Sequence, residues 1–146
     1  MTTLKGKVAT GGSRGIGAAI AKRLAREGAA VSITYSASHE DAKAVVHTIE
    51  TDGGRGLAIQ ADNADFDSVK ASVAATVKAF GRLDVLVNNA ATFHGATIFD
   101  FAIEEFDAMI AVNVKAVFVA IQEAVQHMGT GGRIINIGSV SSDYSL

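Results

Sequence analysis

The chain has 146 residues, with 13 basic and 15 acidic side chains, 15 glycines and no cysteine, proline or tryptophan. That length fits one domain with a core of its own, and the lack of cysteine excludes a disulfide framework, a CxxC redox site and a thiolate zinc site. A net charge of −2 gives no basic footprint for nucleic acid or an anionic membrane surface, so no nucleic-acid partner is expected. No uninterrupted apolar run reaches the ~18 residues of a membrane span, so no membrane partner is expected either. The first residues, Met1 to Lys7, lack the apolar stretch of a secretion signal. These features together predict a soluble, cytoplasmic protein.

Short apolar runs alternate with helical periods along the whole chain, the pattern of βα units and a parallel sheet. The first run is Lys7-Val8-Ala9-Thr10. A helix is predicted from Gly15, with Ile16, Ile20 and Leu24 on one face and Gly28 as its stop. The second run is Ala30 to Tyr35. Ser38-His39-Glu40-Asp41 reads as a capping box for a second helix, whose apolar face is Ala42, Val45, Val46 and Ile49. The third run spans Gly56 to Ala61, and a third helix from about Asp67 stacks Val69, Val73 and Val77 one turn apart. The fourth run, Leu83 to Val87, leads into Asn88-Asn89. One long helix is predicted from Ile103 to Met128, with Glu104 and Glu105 where the helix dipole favours them. The fifth run is Arg133 to Ile137, followed by Gly138-Ser139. Phe66, Phe80, Phe99, Phe101, Phe106 and Phe118 read as core.

The runs show little polar alternation, as strands covered by helices on both faces should. Right-handed crossovers then predict a doubly wound, Rossmann-like α/β sheet of five parallel strands in the order 3-2-1-4-5. Residues 1–146 read as a single domain.

Thr10-Gly11-Gly12-Ser13-Arg14-Gly15-Ile16-Gly17 joins the first strand to the first helix. Glycines there let backbone N–H groups approach a phosphate, and the helix N-terminus adds a favourable field. Placement inside a βαβ unit turns a weak string into a dinucleotide-binding expectation. The spacing is G-x-x-x-G-x-G. With it the chain resembles the short-chain dehydrogenase/reductase family, whose signature is T-G-x-x-x-G-x-G. Further motifs fall at the family's stations: Ala61-Asp62 after the third strand, Asn88-Asn89-Ala90 after the fourth, Val112-Asn113-Val114 in the long helix, and Ile137-Gly138-Ser139 after the fifth. Within the family the chain is most similar to 3-oxoacyl-acyl-carrier-protein reductases.

The resemblance implies an oxidoreductase that moves a hydride between a nicotinamide and a small-molecule carbonyl or alcohol, in a homo-oligomer. It implies cofactor contacts at Gly11, Ser13, Arg14, Gly15, Ile16, Gly17, Ser36, Asp62, Asn63, Asn89 and Ala90, with Asp62 accepting from the adenine amino group. The family often continues N-N-A-G where this chain has Ala91. NAD sites usually place an acid about 20 residues past the loop, for the ribose 2′-OH. Tyr35-Ser36-Ala37-Ser38 supplies none, and Arg14 suits a phosphate, so NADP(H) is favoured over NAD(H). The resemblance also marks Ser139 as the substrate-orienting serine and Asn113 as the helix asparagine of the catalytic set. His39, His47, His94 and His127 show no metal-ligand spacing, so no metal is expected.

The family's Tyr-x-x-x-Lys motif is absent. Tyr144 follows Ser139 by five positions, and its lysine would fall at 148, past Leu146. The first strand is also about two residues shorter than the family's. The chain therefore reads as the N-terminal portion of the family fold, incomplete at its C-terminal side. Two alternatives remain: a nucleotide-binding chain without turnover, and a structural fragment that oligomerises through uncovered faces. The missing prolines fit a partial chain, because the family's prolines cluster after the catalytic serine.

Overall fold

The computed structural model describes residues 4, 7–9 and 12–139. Thr10, Gly11 and Tyr144, all singled out above, lie outside them. In chain order the elements are β1 (Lys7–Ala9), α1 (Gly15–Arg26), β2 (Ala30–Tyr35), α2 (His39–Thr51), β3 (Arg55–Gln60), α3 (Phe66–Phe80) and β4 (Leu83–Asn88). They are followed by α4 (Ile103–Ile110), a π-helical turn (Ala111–Lys115), α5 (Ala116–Val125) and β5 (Met128–Asn136). The strands form one parallel sheet in the order β3-β2-β1-β4-β5. β1 is only three residues long, yet it is central, pairing Val8 with Ser32 on one side and Leu86 on the other.

Each face of the sheet has its own core. On one face Val31 and Ile33 of β2 pack with Ala21 and Ala25 of α1 and Ala42, Val45 and Ile49 of α2. On the other, Leu83 and Leu86 of β4 pack with Val69 and Val73 of α3 and Ala116, Ala120 and Ala124 of α5. Val85 and Val87 turn to the first face and meet Ile20 and Leu24. The period of two sets Leu86 against Val85 and Val87, while Leu83 joins Leu86 across the register irregularity between Leu83 and Val85. The alanines of α5 recur every four residues, so one smooth stripe lies against α3. The buried Ser72 and Thr76 on α3 stay satisfied within their own helix: Ser72 Oγ donates to the Val69 carbonyl at 2.7 Å, and Thr76 Oγ1 to the Ser72 carbonyl at 2.9 Å.

Four expectations need correction. The capping box at α2 does not form: Ser38 precedes the helix, but its side chain makes no cap hydrogen bond. Glu40 and Asp41 still compensate the dipole there, while the side-chain cap found at α3 is Asp65, which accepts from the Asp67 and Ser68 N–H groups. The long helix is interrupted by the π-helical turn and stops at Val125, and β5 starts at Met128 rather than Arg133. Met128 pairs with Leu83 but Arg133 with Val85, so the glycine-rich segment between them bulges out of the ladder.

The fourth correction concerns the phenylalanines. Phe99 is 95% exposed, Phe118 63% and Phe106 50%. Phe66 packs against the second core, but the cores are otherwise built from Ala, Val, Leu and Ile. Phe118 lies two residues from both Ala116 and Ala120, about half a turn round from the alanine stripe. The 23-residue helical stretch Ile103–Val125 contains an 18-residue window of mean hydropathy 1.6 and is long and apolar enough to cross a membrane by length and composition alone. A core helix of a soluble protein has the same character, and here its alanine stripe is packed on α3.

Candidate functional site

In a parallel sheet every strand ends at the same edge, and a crevice opens where neighbouring crossovers depart to opposite faces. Here that crevice lies between β1 and β4, and a cavity of about 510 Å³ occupies it. Its walls come from the glycine loop (Ser13, Arg14, Ile16), the end of β2 and the turn beyond it (Thr34, Ser36, Ser38), the end of β3 (Ala61, Asp62, Asn63), and the segment after β4 (Asn89, Ala90, Ala91, Thr92). Val112 of the π-helical turn completes the lining.

The glycine loop has stereochemical reasons for its composition. A Cβ on Gly12 would stand 2.6 Å from Ile33 Cγ2, inside van der Waals contact, so only glycine lets the loop lie this close to β2. Gly15 opens α1 with φ +54°, a left-handed conformation that a side chain disfavours. Arg14 precedes it in extended conformation (φ −151°, ψ 169°) and offers no side-chain cap. The first turn of α1 carries no acid, whereas those of α2, α3 and α4 do. The α1 N-terminus thus keeps its positive end uncompensated by its own side chains, which is the condition for holding a phosphate. Gly17 is buried in the helix behind it.

Across the cavity, Asp62 Oδ1 accepts from the Ala64 N–H at 2.9 Å, which shapes the turn after β3. The sequence-based residues Ser13, Arg14, Ile16, Ser36, Asp62, Asn63, Asn89 and Ala90 meet in this one lining. Thr34, Ser38, Ala61, Ala91, Thr92 and Val112 join them without having been assigned a cofactor contact. Ala61 and Val112 belong to motifs quoted above, Ala91 follows Asn89-Ala90, Ser38 had been assigned to helix capping, and Thr34 and Thr92 carry no motif of their own.

Asn113 does not line the cavity. Its side chain reaches back to the segment after β4, where Oδ1 accepts from the Thr92 N–H at 2.9 Å and Nδ2 donates to the Thr92 carbonyl at 2.8 Å. Ser139 is exposed and also outside the lining. One polar pair reaches towards it: Asn88 Nδ2 donates to Asn136 Oδ1 at 2.8 Å, and the Ile137 N–H donates to the Asn88 carbonyl at 2.9 Å. His94, in the same segment as Thr92, pairs with Glu105 at 2.9 Å and meets the Phe101 ring edge-on. No group of three or more His, Cys, Asp or Glu side chains suited to a metal occurs among the described residues.

A doubly wound sheet with a glycine-rich first crossover and a cavity at its switch point defines a Rossmann-like dinucleotide-binding fold. More narrowly, the chain belongs to the short chain dehydrogenase family, whose model matches residues 7–146. It is 48% identical over 145 residues to an uncharacterized oxidoreductase of Methylorubrum extorquens, covering 98% of this chain and 58% of that protein. It is 44% identical over 142 residues to the 3-oxoacyl-acyl-carrier-protein reductase FabG of Staphylococcus aureus, covering 96% of this chain and 58% of that one. Among solved structures, a short chain dehydrogenase from Burkholderia cenocepacia in complex with NADP superposes with a TM-score of 0.95 at 51% identity, covering 97% of this chain and 58% of that one. The chain therefore spans just over half the length of these relatives.

Proposed function

We propose that this chain is the NADP(H)-binding portion of a short-chain oxidoreductase that transfers a hydride between the nicotinamide and a carbonyl or alcohol substrate. The observation that carries the reading is the cavity at the switch point, lined together by Arg14 before the uncapped, acid-free N-terminus of α1 and by Ser36 and Ser38. The turn between β2 and α2 offers no carboxylate to a ribose 2′-OH, while a guanidinium and two hydroxyls suit a 2′-phosphate.

In this reading Gly11, Gly15 and Gly17 give the pyrophosphate close access to the backbone. Ser13 and Ile16 flank it, and Arg14 and Ser36 hold the 2′-phosphate. Asp62 and Asn63 receive the adenine, and Asn89 and Ala90 border the nearer ribose. When bound, the nicotinamide supplies the hydride. The protein's part is to position it, exclude water and orient the substrate oxygen. Ser139 would hold that oxygen. Asn113 would act by fixing the segment that carries Thr92. The substrate class follows the similarity to FabG only as far as a small carbonyl compound, with a 3-oxoacyl thioester as the finer proposal, and a soluble cytoplasmic setting goes with it.

A titration of intrinsic NADPH fluorescence tests the reading. NADPH should bind more tightly than NADH. Equal affinity, or no binding, overturns it.

A homo-oligomer is also proposed, on the apolar stripe Ile103, Phe106, Val114, Phe118 and Val125, all at least half exposed on one helical stretch.

A further inference from the structure

We infer that Tyr35 and His39 form a clasp that sets the cofactor preference by holding the turn between β2 and α2 with its serines towards the cavity. This rests on the NADP(H) reading above and names two residues that act through their neighbours.

The turn is Ser36-Ala37-Ser38, and its first and last residues line the cavity. Every carbonyl leading through it is engaged in a hydrogen bond. The Tyr35 carbonyl accepts from the Ala61 N–H at 2.8 Å, the Ser36 carbonyl from Gln60 Nε2 at 3.1 Å, and the Ala37 carbonyl from the His39 N–H at 2.9 Å. The two ends are then joined side chain to side chain. His39 Nδ1 lies 2.6 Å from the Tyr35 hydroxyl, and the rings meet at 5.3 Å between centroids.

This arrangement also explains why Ser38 fails to cap α2. A capping hydroxyl would turn back onto the helix N–H groups, but the clasp fixes Ser38 with φ −84° and ψ 68°, outside the extended geometry usual for a cap. Ser38 is instead part of the cavity wall. Ser36, Ser38 and Arg14 line the same cavity, so neutral hydroxyls and a guanidinium share one lining. A phosphate is a strong acceptor with several oxygens, so hydroxyls pre-set by the clasp reward NADP(H) and do little for a bare 2′-OH.

The test uses the full chain and two dinucleotides, NADPH and NADH, titrated by fluorescence. His39→Ala and Tyr35→Phe each remove the clasp's hydrogen bond. Both should lower the NADPH-to-NADH affinity ratio about two- to tenfold, the worth of one ordinary hydrogen bond. His39→Gln, whose amide can reach the Tyr35 hydroxyl, should keep the ratio near wild type. His39 is exposed, so the fold should survive, and far-ultraviolet circular dichroism checks that it does. A ratio unchanged in both variants, or NADPH and NADH weakened equally, overturns the clasp alone. A wild-type chain that binds both dinucleotides equally, or neither, overturns the NADP(H) reading and the clasp with it.

Discussion

The Asn113 side chain is bonded to the Thr92 backbone through both its oxygen and its nitrogen, at 2.9 and 2.8 Å. The amide imitates a strand partner for one residue of a segment that has no regular structure of its own. It can do so because the π-helical turn Ala111–Lys115 widens the helix at that residue, a feature often found at functional sites. Val112, in the same turn, lines the cavity, so one irregular turn both walls the site and ties down its rim.

Asn113→Ala should therefore loosen the segment after β4. Two hydrogen bonds of about 0.5–1.5 kcal/mol each are lost. Hydrogen exchange at the Thr92 amide should quicken markedly while that at Leu86 stays slow. NADPH affinity should fall with it. Unchanged exchange at Thr92 would show that the amide pair does not hold the segment.

Gly12→Ala should damage both stability and nucleotide binding, because the new methyl would stand 2.6 Å from Ile33 Cγ2. Overpacking of this kind costs about 1–3 kcal/mol. Ile33→Ala in the same chain removes Cγ2 but leaves Cβ, 2.7 Å from the new methyl, so the double variant should recover part of the clash and cost somewhat less than the sum of the singles. Denaturant midpoints give all three values, and strict additivity would argue against the contact.

Arg14→Ala should weaken NADPH by about 1.5–3 kcal/mol, the range for hydrogen bonds to a charged group, and NADH far less. The NADPH affinity of the native chain should also fall as salt is raised, since Arg14 is exposed and its field is screened. Equal losses for the two dinucleotides would move Arg14 away from the 2′-phosphate.

Leu86→Ala should cost about 2–5 kcal/mol, because Leu86 is fully buried between β4, α3 and α5. Phe99→Ala, at a ring 95% exposed, should stay within about 0.5 kcal/mol. Urea unfolding of the two variants is a direct check on which apolar residues build the core.

Much of the site was legible because its parts are local. The glycine loop, Asp62 and Asn89 each sit at a strand end, and strand ends show in the sequence as apolar runs that stop. A parallel sheet brings those ends to one edge whatever the loops do, so Ser13, Arg14, Ser36, Asp62 and Asn89 meet once the strand order is right. The capping box failed for a converse reason. Ser38-x-x-Asp41 is a sound local pattern, but Tyr35 and His39 compete for the same turn, and that bond was invisible until the helix began at His39.

The phenylalanines show the limit more sharply. Hydrophobicity says that Phe106 and Phe118 gain by leaving water; it does not say what will cover them. Alanine every fourth residue on α5 packs with Val69 and Val73 of α3, so the small residues are buried while Phe106 and Phe118 stay at least half exposed.

The sequence by itself determined the class of fold and the edge where the strand ends meet, because both follow from hydrophobic periodicity, and its motifs carried the resemblance to the family. Only the tertiary structure decided which hydroxyls face the cavity, that Asn113 holds Thr92 rather than lining the site, and that Ser139 lies outside the lining. Those are matters of side-chain direction and of competition for hydrogen-bond partners between segments distant in sequence. Such competition is settled only when all the segments are in place.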